Sequence, residues 1–312
     1  MSLRRMLRVI TALVLLMPLV PLVGAGTAAA QASPQADRHH ARQLLFFNHL
    51  YAVLDRETAD AIEDSAYLRR FANFQVRTTT GSNGEVWTGR YLLGRETYLE
   101  LFGVGDLPGQ DAQFGSSGLG LSTENAGDLT TVRQRLVDLG TTPIDFEQTR
   151  DFGDGVPIPW FDALFTTTAY DKFSPWAMEY RPEYFADPRS GTEPASHPGD
   201  VGRERYLNDD YRTHLMHDVT SVRLAVTQRD LDSTVPLLRA GGFSVHHLGS
   251  TVIATHGGTT IRLDPTTADA AGLRRVTMSL NHPVWYRHVE HLGRSTLTVG
   301  PGSYAVWSFP AP

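Results

Sequence analysis

Residues 45–54 read LFFNHLYAVL, and residues 55–58, DRET, follow directly. The first stretch is rich in aromatic and β-prone residues, which predicts a strand, and Asp55 is well suited to cap a helix. In ADAIEDSAYLRRF (59–71) apolar residues then recur at helical spacing. Three short runs of strand type come next. Residues 45–105 are therefore predicted to form one βαβββ unit.

The same order of elements recurs along the chain. A second copy begins at Gly118, with a helical run that stops at Gly140, and a third copy spans 220–265. The strand runs of 272–309 leave no room for a full helix between the first two of them. Each unit is too small to bury its own apolar face. We therefore predict an α+β fold of repeated βαβββ units that pair into curved, bowl-like mixed sheets, as about two paired halves, the last unit incomplete.

The N-terminus has the three parts of a secretory signal peptide. Three arginines lie within residues 4–8, an apolar run interrupted by two prolines covers 9–23, and small residues fill 24–32. The apolar run is too short and too broken for a permanent membrane anchor. We predict a secreted, extracellular protein, cleaved near Ala30 or Ala32. Sec and twin-arginine export both stay open.

Composition excludes several classes of function. The chain has no cysteine, so thiolate zinc sites, iron–sulfur clusters and cysteine nucleophiles are excluded. Its net charge of −6 becomes −9 once the three leader arginines are removed, which disfavours nucleic-acid binding. The glycine-rich run 115–120 precedes a strand rather than a helix, so we expect no nucleotide cofactor.

Three stretches carry a resemblance to a known superfamily: FNHLYAVLD (47–55), TYLELFG (97–103) and LLRAGGFSVHHL (237–248). With them the chain resembles the vicinal-oxygen-chelate superfamily, which includes glyoxalase-like and bleomycin-resistance-like proteins, and in particular a secreted actinobacterial group. The resemblance implies that two βαβββ units pair around one site. The first and fourth strands of each unit would then present a His and a Glu to one divalent metal, which substrate oxygens chelate.

The resemblance implies a specific set of metal ligands. The first-strand His corresponds to His49 and the fourth-strand Glu to Glu100. In the second unit the first-strand position falls on Gly118, which cannot ligate a metal, and the fourth-strand acid falls on Glu179. The expected set is therefore His49, Glu100 and Glu179, with both glutamates as catalytic residues. The metal would be Fe, Mn, Zn or Ni.

The pattern in the strands makes independent sense. With a period of two, Glu100 shares a face with Tyr98 and Phe102. His49 lies inside a strand that otherwise reads as core. The alternative without a metal site is that His49 is a core histidine whose hydrogen bonds are all made. The acidic residues would then pair with Arg90 or Arg181. The residues expected to line the substrate pocket are Tyr51, Tyr98, Phe102, Trp160 and Trp176.

These observations leave two kinds of function open. The first is a secreted glyoxalase-like enzyme with a single divalent metal, performing lyase, isomerase or ring-cleaving chemistry on a small oxygenated molecule. The second is a metal-free module that binds or sequesters a small molecule, which Gly118 favours. Ser221 and Arg262, the corresponding residues of the third unit, also favour it. A carbohydrate-binding protein is a further alternative. The expected partner is a small-molecule ligand, and the oligomeric state is not predicted.

The predicted domain boundaries follow from these assignments. Residues 1–32 form the signal peptide and 33–44 a polar lead-in. Residues 45–186 form the first paired βαβββ domain, and 187–216 a linker or long loop that is polar and rich in Pro and Gly. Residues 217–312 form a second, degenerate glyoxalase-like domain.

Overall fold

The structure is a computed structural model that describes residues 42–81 and 84–312. The predicted signal peptide (1–32) and most of the lead-in lie outside the described residues. The first half of the described chain contains the strands and helices β1 (Phe46–Leu54), α1 (Arg56–Asp64), α2 (Leu68–Phe71), β2 (Asn73–Thr80), β3 (Val86–Leu93), β4 (Tyr98–Gly103), β5 (Ser117–Ser122), α3 (Asp128–Asp138), β6 (Ile144–Arg150), β7 (Ile158–Phe165) and β8 (Trp176–Tyr180).

The second half begins with short helices and continues with a second set of strands. Its elements are α4 (Pro182–Ala186), α5 (Arg203–Tyr206), β9 (Met216–Val226), α6 (Gln228–Ala240), β10 (Ser244–Leu248), β11 (Thr251–His256), β12 (Thr259–Pro265), β13 (Gly272–Val284), β14 (His288–Leu292), β15 (Ser295–Val299) and β16 (Gly302–Ser308).

Strands β1 to β8 form one curled mixed sheet in the order β2-β3-β4-β1-β5-β8-β7-β6. In each unit the first and fourth strands are parallel, because a helix crosses over between the first and second, and the two units meet at the antiparallel pair β1 and β5. The two edge strands approach each other where Thr80 bridges Asp151. The sheet therefore curves around a hollow.

Strands β9 to β16 form a second sheet in the order β10-β11-β12-β9-β13-β16-β15-β14. Here the first unit keeps its crossover helix α6, and β9 is parallel to β12. Residues 285–287 alone join β13 to β14, so the chain turns back without a crossover, and β13 is antiparallel to β16. The predicted α+β fold of paired units with an incomplete last unit is confirmed.

Local signals explain where the helices begin and what they bury. The Asp55 carboxylate accepts the backbone N–H of Thr58 at 2.9 Å and caps α1, as predicted, and α1 buries Ile62. Both sheets contribute to one buried apolar cluster, with Leu50 and Leu99 from the first and residues such as Val222 and Val276 from the second. In the part of the chain that the structure describes, no helix is both long and apolar enough to span a bilayer.

Residues 187–216, predicted as a linker or long loop, contact the first sheet. Arg203 of α5 is buried and donates to the backbone oxygen of Phe47 in β1 at 2.7 Å. It also forms ion pairs with Glu96 and Glu124. The ring of Tyr206 in the same helix stacks on that of Tyr180 in β8. The segment is therefore held over the hollow of the first sheet.

Candidate functional site

A cavity of about 480 Å³ occupies the concave side of the first sheet. Its floor comes from the central strands β1, β4 and β8, its sides from the outer strands, and part of its rim from residues 189–191 and 206–208. Tyr206 stacks on Tyr180 with ring centroids 4.2 Å apart, which fastens this rim to β8. Charged side chains such as Arg77, Glu100 and Arg150 line it beside the aromatic rings. A concave site that combines aromatic walls with placed polar groups is typical of small-molecule binding.

His49 lies on the cavity floor and is held in one tautomer. Its Nδ1 is 2.8 Å from Asn48 Oδ1 and donates to it, because the Asn48 amide nitrogen donates elsewhere, to Ser122 Oγ at 3.0 Å. Its ring stacks on Tyr98 at 4.4 Å. Burial lowers the pKa of His49 from 6.5 to about 3, so the imidazole is neutral at ordinary pH. Its Nε2 therefore offers a lone pair to the cavity.

Glu100 lies beside His49 on β4. Its Oε2 is 3.9 Å from His49 Nε2, and its Oε1 accepts the Tyr91 hydroxyl at 2.5 Å. Burial raises the pKa of Glu100 from 4.5 to about 7, although the hydrogen bond from Tyr91 opposes the change. The floor thus combines a neutral imidazole with a carboxyl group that changes charge near neutral pH. Such a pair is suited to proton transfer.

Glu179 does not join this pair, contrary to the expected ligand set. Its carboxylate lies on the other face of β8, where it accepts the backbone N–H groups of Gly127 at 2.8 Å and Leu129 at 3.0 Å, at the start of α3. The physical reason is strand alternation: Trp176, Met178 and Tyr180 face the cavity, so the residue between the last two faces away. Glu179 is a helix-capping residue here.

The residues present do not fit the three-ligand metal site that the superfamily resemblance implies. Only His49 and Glu100 of the expected set lie together. Across residues 42–81 and 84–312, no group of three or more His, Cys, Asp or Glu side chains is arranged to hold a metal ion. Gly120, rather than Gly118, lies directly opposite His49, and a Cβ there would come within 2.4 Å of His49 Cε1. The glycine makes room for the imidazole ring.

The structure also places the other residues singled out from the sequence. The expected pocket residues Tyr51, Tyr98, Phe102, Trp160 and Trp176 all line the cavity. Arg90 and Arg181, offered as alternative partners for the acids, pair with other carboxylates instead: Glu63 and Asp106 for Arg90, and Asp162 and Glu183 for Arg181.

Sequence reasoning missed several residues of the cavity. Arg77 of β2 and Arg150 of β6 line it from the two edge strands, and Tyr91 of β3 holds Glu100. A signal was present for Arg77, because strand alternation puts it on one face with Thr79, which also lines the cavity. Tyr206 gave no such signal, because it belongs to the polar segment predicted as a linker.

The family comparison agrees with the extent of the repeated units. The model of a family described as "Family of unknown function (DUF5829)" matches residues 47–309. The chain belongs to this family. No curated protein matches the sequence. The DUF5829 match begins in β1 and ends just after β16, so it covers both sheets.

Several solved structures are similar to this DUF5829 chain at low sequence identity. A hypothetical protein from Staphylococcus aureus aligns with a TM-score of 0.49 and 10% identity, over 83% of this chain and 100% of that one. The Mn(II)-bound glyoxalase from Novosphingobium aromaticivorans aligns with a TM-score of 0.40 and 11% identity, over 84% and 81%. The 2,3-dioxygenase LapB from Pseudomonas sp. KL28 gives 0.42 and 10%, over 86% and 94%.

The topology itself supports the predicted fold. Two βαβββ units pair through their first strands, and each keeps its first and fourth strands parallel. This is the arrangement that the resemblance to the vicinal-oxygen-chelate superfamily implies. The predicted glyoxalase-like fold is therefore confirmed.

Proposed function

We propose that this DUF5829 protein binds a small organic molecule in the cavity of its first sheet, without a resident metal held by three protein ligands. The observation that carries the proposal is the cavity itself, which combines aromatic walls with one buried polar pair, His49 and Glu100, on its floor. Aromatic rings supply apolar contact area, and the polar pair fixes the orientation of a hydroxyl or carbonyl group.

The metal-free form of the proposal rests on the donor set. His49 and Glu100 lie together, but Glu179, the third expected ligand, caps α3. Gly120 lies opposite His49, and the imidazole ring fills the space that a side chain there would need. A bound ligand would instead meet Nε2 of a neutral histidine, which accepts a hydrogen bond, and a carboxyl group that donates one when protonated.

The proposal is tested by thermal unfolding of the purified full-length chain against a panel of small aromatic and oxygenated molecules, with and without EDTA. A ligand present at 100 times its Kd stabilises the folded state by about 2.7 kcal/mol. We expect the stabilisation to be the same in EDTA. A metal bound at one equivalent per chain, and lost in both His49→Ala and Glu100→Gln, would contradict the metal-free form.

A matched pair of variants on β8 connects binding to the cavity. Trp176 faces the cavity and Glu179 the opposite side of the same strand. We expect Trp176→Ala to reduce the ligand-induced shift in the unfolding temperature. Glu179→Gln should lower the stability of the unliganded protein by about 1 kcal/mol, the usual cost of losing a helix cap, and leave the shift intact. If the ligand raised the unfolding temperature of Trp176→Ala as much as that of Glu179→Gln, the cavity would be excluded as the binding site.

Acid–base turnover is a second candidate function, favoured by the position of Glu100. Its carboxyl group has a pKa of about 7 and lies 3.9 Å from a neutral imidazole, so it can accept or donate a proton near neutral pH. The test is exchange of a carbon-bound proton of a bound ligand in D₂O, followed by NMR. Glu100→Gln should abolish the exchange while binding persists. Exchange that continues in the variant would exclude Glu100 as the proton acceptor.

We also propose that the protein is exported, on the basis of the leader in residues 1–32. N-terminal sequencing of protein recovered from culture medium tests this proposal, with a start near residue 31 or 33 expected. Protein that stays inside the cell with an intact N-terminus would contradict it.

A further inference from the structure

The cavity carries two cations whose partners are neutral. Arg77 Nε donates to the side-chain oxygen of Gln75 at 2.6 Å, and Arg150 Nη1 donates to the Tyr184 hydroxyl at 2.8 Å. Both guanidinium groups are half-buried, and in the described part of the chain neither forms an ion pair with a carboxylate. Their positive charge is therefore not compensated by an acidic side chain in direct contact.

Buried arginines elsewhere in the protein are treated differently. Arg90 and Arg203 are each almost fully buried, and each pairs with two carboxylates: Glu63 and Asp106 for the first, Glu96 and Glu124 for the second. Pairing is the usual way to offset the cost of removing a charge from water. Half-buried Arg205 and Arg274 also lack an ion pair among the described residues, but they donate to backbone oxygens away from the cavity. Arg77 and Arg150 differ from both groups because they line the cavity without a carboxylate partner.

Both arginines belong to the edge strands, which approach each other at the Thr80–Asp151 bridge. Arg77 lies three residues before Thr80, and Arg150 directly precedes Asp151, so the two side chains enter the cavity from its two edges. Aromatic rings orient them: Arg77 lies 5.6 Å from the Tyr91 ring centroid and Arg150 5.2 Å from that of Trp160.

Among the described residues, no acidic side chain of the cavity is in ion-pair contact with Arg77 or Arg150. Glu85 is exposed at the rim, and Asp111 accepts the Tyr170 hydroxyl at 3.1 Å. Glu100 accepts the Tyr91 hydroxyl, and its ion-pair contact in the described chain is with His49 rather than with either arginine. Arg189, the third cation of the lining, is exposed and already paired with Asp154 and Asp187.

We propose that the natural ligand is an aromatic carboxylic acid whose carboxylate lies between Arg77 and Arg150 while its ring packs against the aromatic walls of the cavity. A guanidinium group matches a carboxylate with two parallel hydrogen bonds, and the remaining donors of both side chains are available for this contact. The inference rests on the proposed function and adds the charge and class of the ligand to it.

The test is calorimetric titration of the full-length chain with three probes that share one ring system: 2-naphthoate, 2-naphthamide and 2-naphthyl phosphate. We expect 2-naphthoate to bind at least roughly tenfold more tightly than the neutral amide, the usual effect of a charge-assisted hydrogen bond. Equal affinities for the acid and the amide would overturn the inference. Tighter binding of the phosphate than of the carboxylate would overturn the choice of carboxylate.

Variants assign the preference to the two arginines. Arg77→Gln and Arg150→Gln should each weaken 2-naphthoate binding roughly tenfold and leave 2-naphthamide unchanged, which also shows that the cavity is intact. Arg133→Gln is the matched control, because Arg133 is an exposed arginine of α3 paired with Asp145, and it changes the net charge equally. A loss of naphthoate affinity of the same size in the control would overturn the assignment.

The outcomes also separate this inference from the proposed function. If 2-naphthoate and 2-naphthamide bind equally well, the proposed small-molecule binding is supported, and the inference that the ligand is a carboxylate is wrong. No binding of any of the three probes, together with no stabilisation by the wider panel, removes both.

Discussion

The two sheets of this protein have equivalent strand orders but carry different side chains at corresponding positions of their strands. In the first sheet, β1 and β4 bring His49 and Glu100 together at the floor of an aromatic cavity. In the second sheet the corresponding strands, β9 and β12, carry Ser221 and Arg262. Arg262 donates to Asp264 at 2.9 Å, and Asp264 also pairs with Arg223. The first sheet holds a His–Glu pair on the floor of a cavity, and the second holds a partly exposed cluster of two arginines around one aspartate.

The difference shows that topology alone does not make a binding site. Paired βαβββ units provide a curved surface. Whether that surface encloses a cavity depends on the size of its side chains and on the segment that lies over it, which for the first sheet is residues 187–216. In the first sheet Gly120 leaves room for the His49 ring. Residues 189–191 and 206–208 form part of the rim of the cavity. The predictions below test these contributions, from the largest expected effect to the smallest.

Arg203→Ala should destabilise the protein most, by about 3–5 kcal/mol, because it leaves Glu96 and Glu124 without their common cationic partner. It also releases α5 from the first sheet. Urea unfolding measures the effect. Arg133→Ala, which breaks an exposed pair with Asp145, should cost less than about 1 kcal/mol. Similar costs for the two variants would show that α5 is not anchored through Arg203.

The pH dependence of stability should differ between the two sheets. The folded-state pKa of Glu100 is raised from 4.5 to about 7, so its proton stabilises the folded state at low pH, and this contribution is lost as the pH rises through about 7. The free energy of unfolding of Glu100→Gln, relative to that of the wild type, should therefore increase by about 2 kcal/mol between pH 5 and pH 8. Taking this difference removes the opposing contribution of His49.

Asp264 of the second sheet provides the matched control. Burial opposes its ionisation, but hydrogen bonds from Arg223, Thr251 and Arg262 outweigh burial and hold the pKa of Asp264 below its usual value of 3.8. The stability that its charge contributes is present above that value and is lost only in more acidic solution. The difference between Asp264→Asn and the wild type should be constant from pH 5 to pH 8. A slope equal to that of Glu100→Gln would contradict the assignment.

Gly120→Ala tests the space that Gly120 leaves for the His49 ring, and it should have the smallest effect on stability of the changes considered. The added methyl group would meet His49 Cε1 at 2.4 Å, so the imidazole ring must shift, at a cost of about 1–2 kcal/mol. Thr277 lies opposite Ser221 in the second sheet, as Gly120 lies opposite His49 in the first. Thr277→Ala should stay within about 0.5 kcal/mol of the wild type. Chemical denaturation compares them, and equal costs would argue against crowding at His49.

Local pattern was enough to predict much of the architecture. Alternation and capping residues predicted β1 and α1, and the repeated order of elements predicted paired units with an incomplete end. For the site, alternation correctly puts Glu100 on one face with Tyr98 and Phe102, all of which line the cavity. The meeting of β1 with β4 was implied only by the resemblance.

The assignment of Glu179 failed for a definable reason. In a strand a shift of one residue moves a side chain to the other face, and the proline-containing run around β8 does not reveal which residue starts the alternation. The structure starts it at Trp176, so Glu179 faces α3. Alternation puts Arg77 on one face with Thr79, but the sequence does not show that the two edge strands of the sheet curl toward each other, which brings Arg77 and Arg150 to one cavity.

The sequence by itself determined the elements and their repetition, since strand and helix periodicity, capping and glycine stops act over a few residues. Only the tertiary structure decided which face each strand turns to the hollow and which distant side chains meet there. Those choices depend on pairing between residues far apart in the chain, such as His49 with Gly120 and Thr80 with Asp151. The free energy of burying one whole sheet face selects that pairing, and no local pattern encodes it.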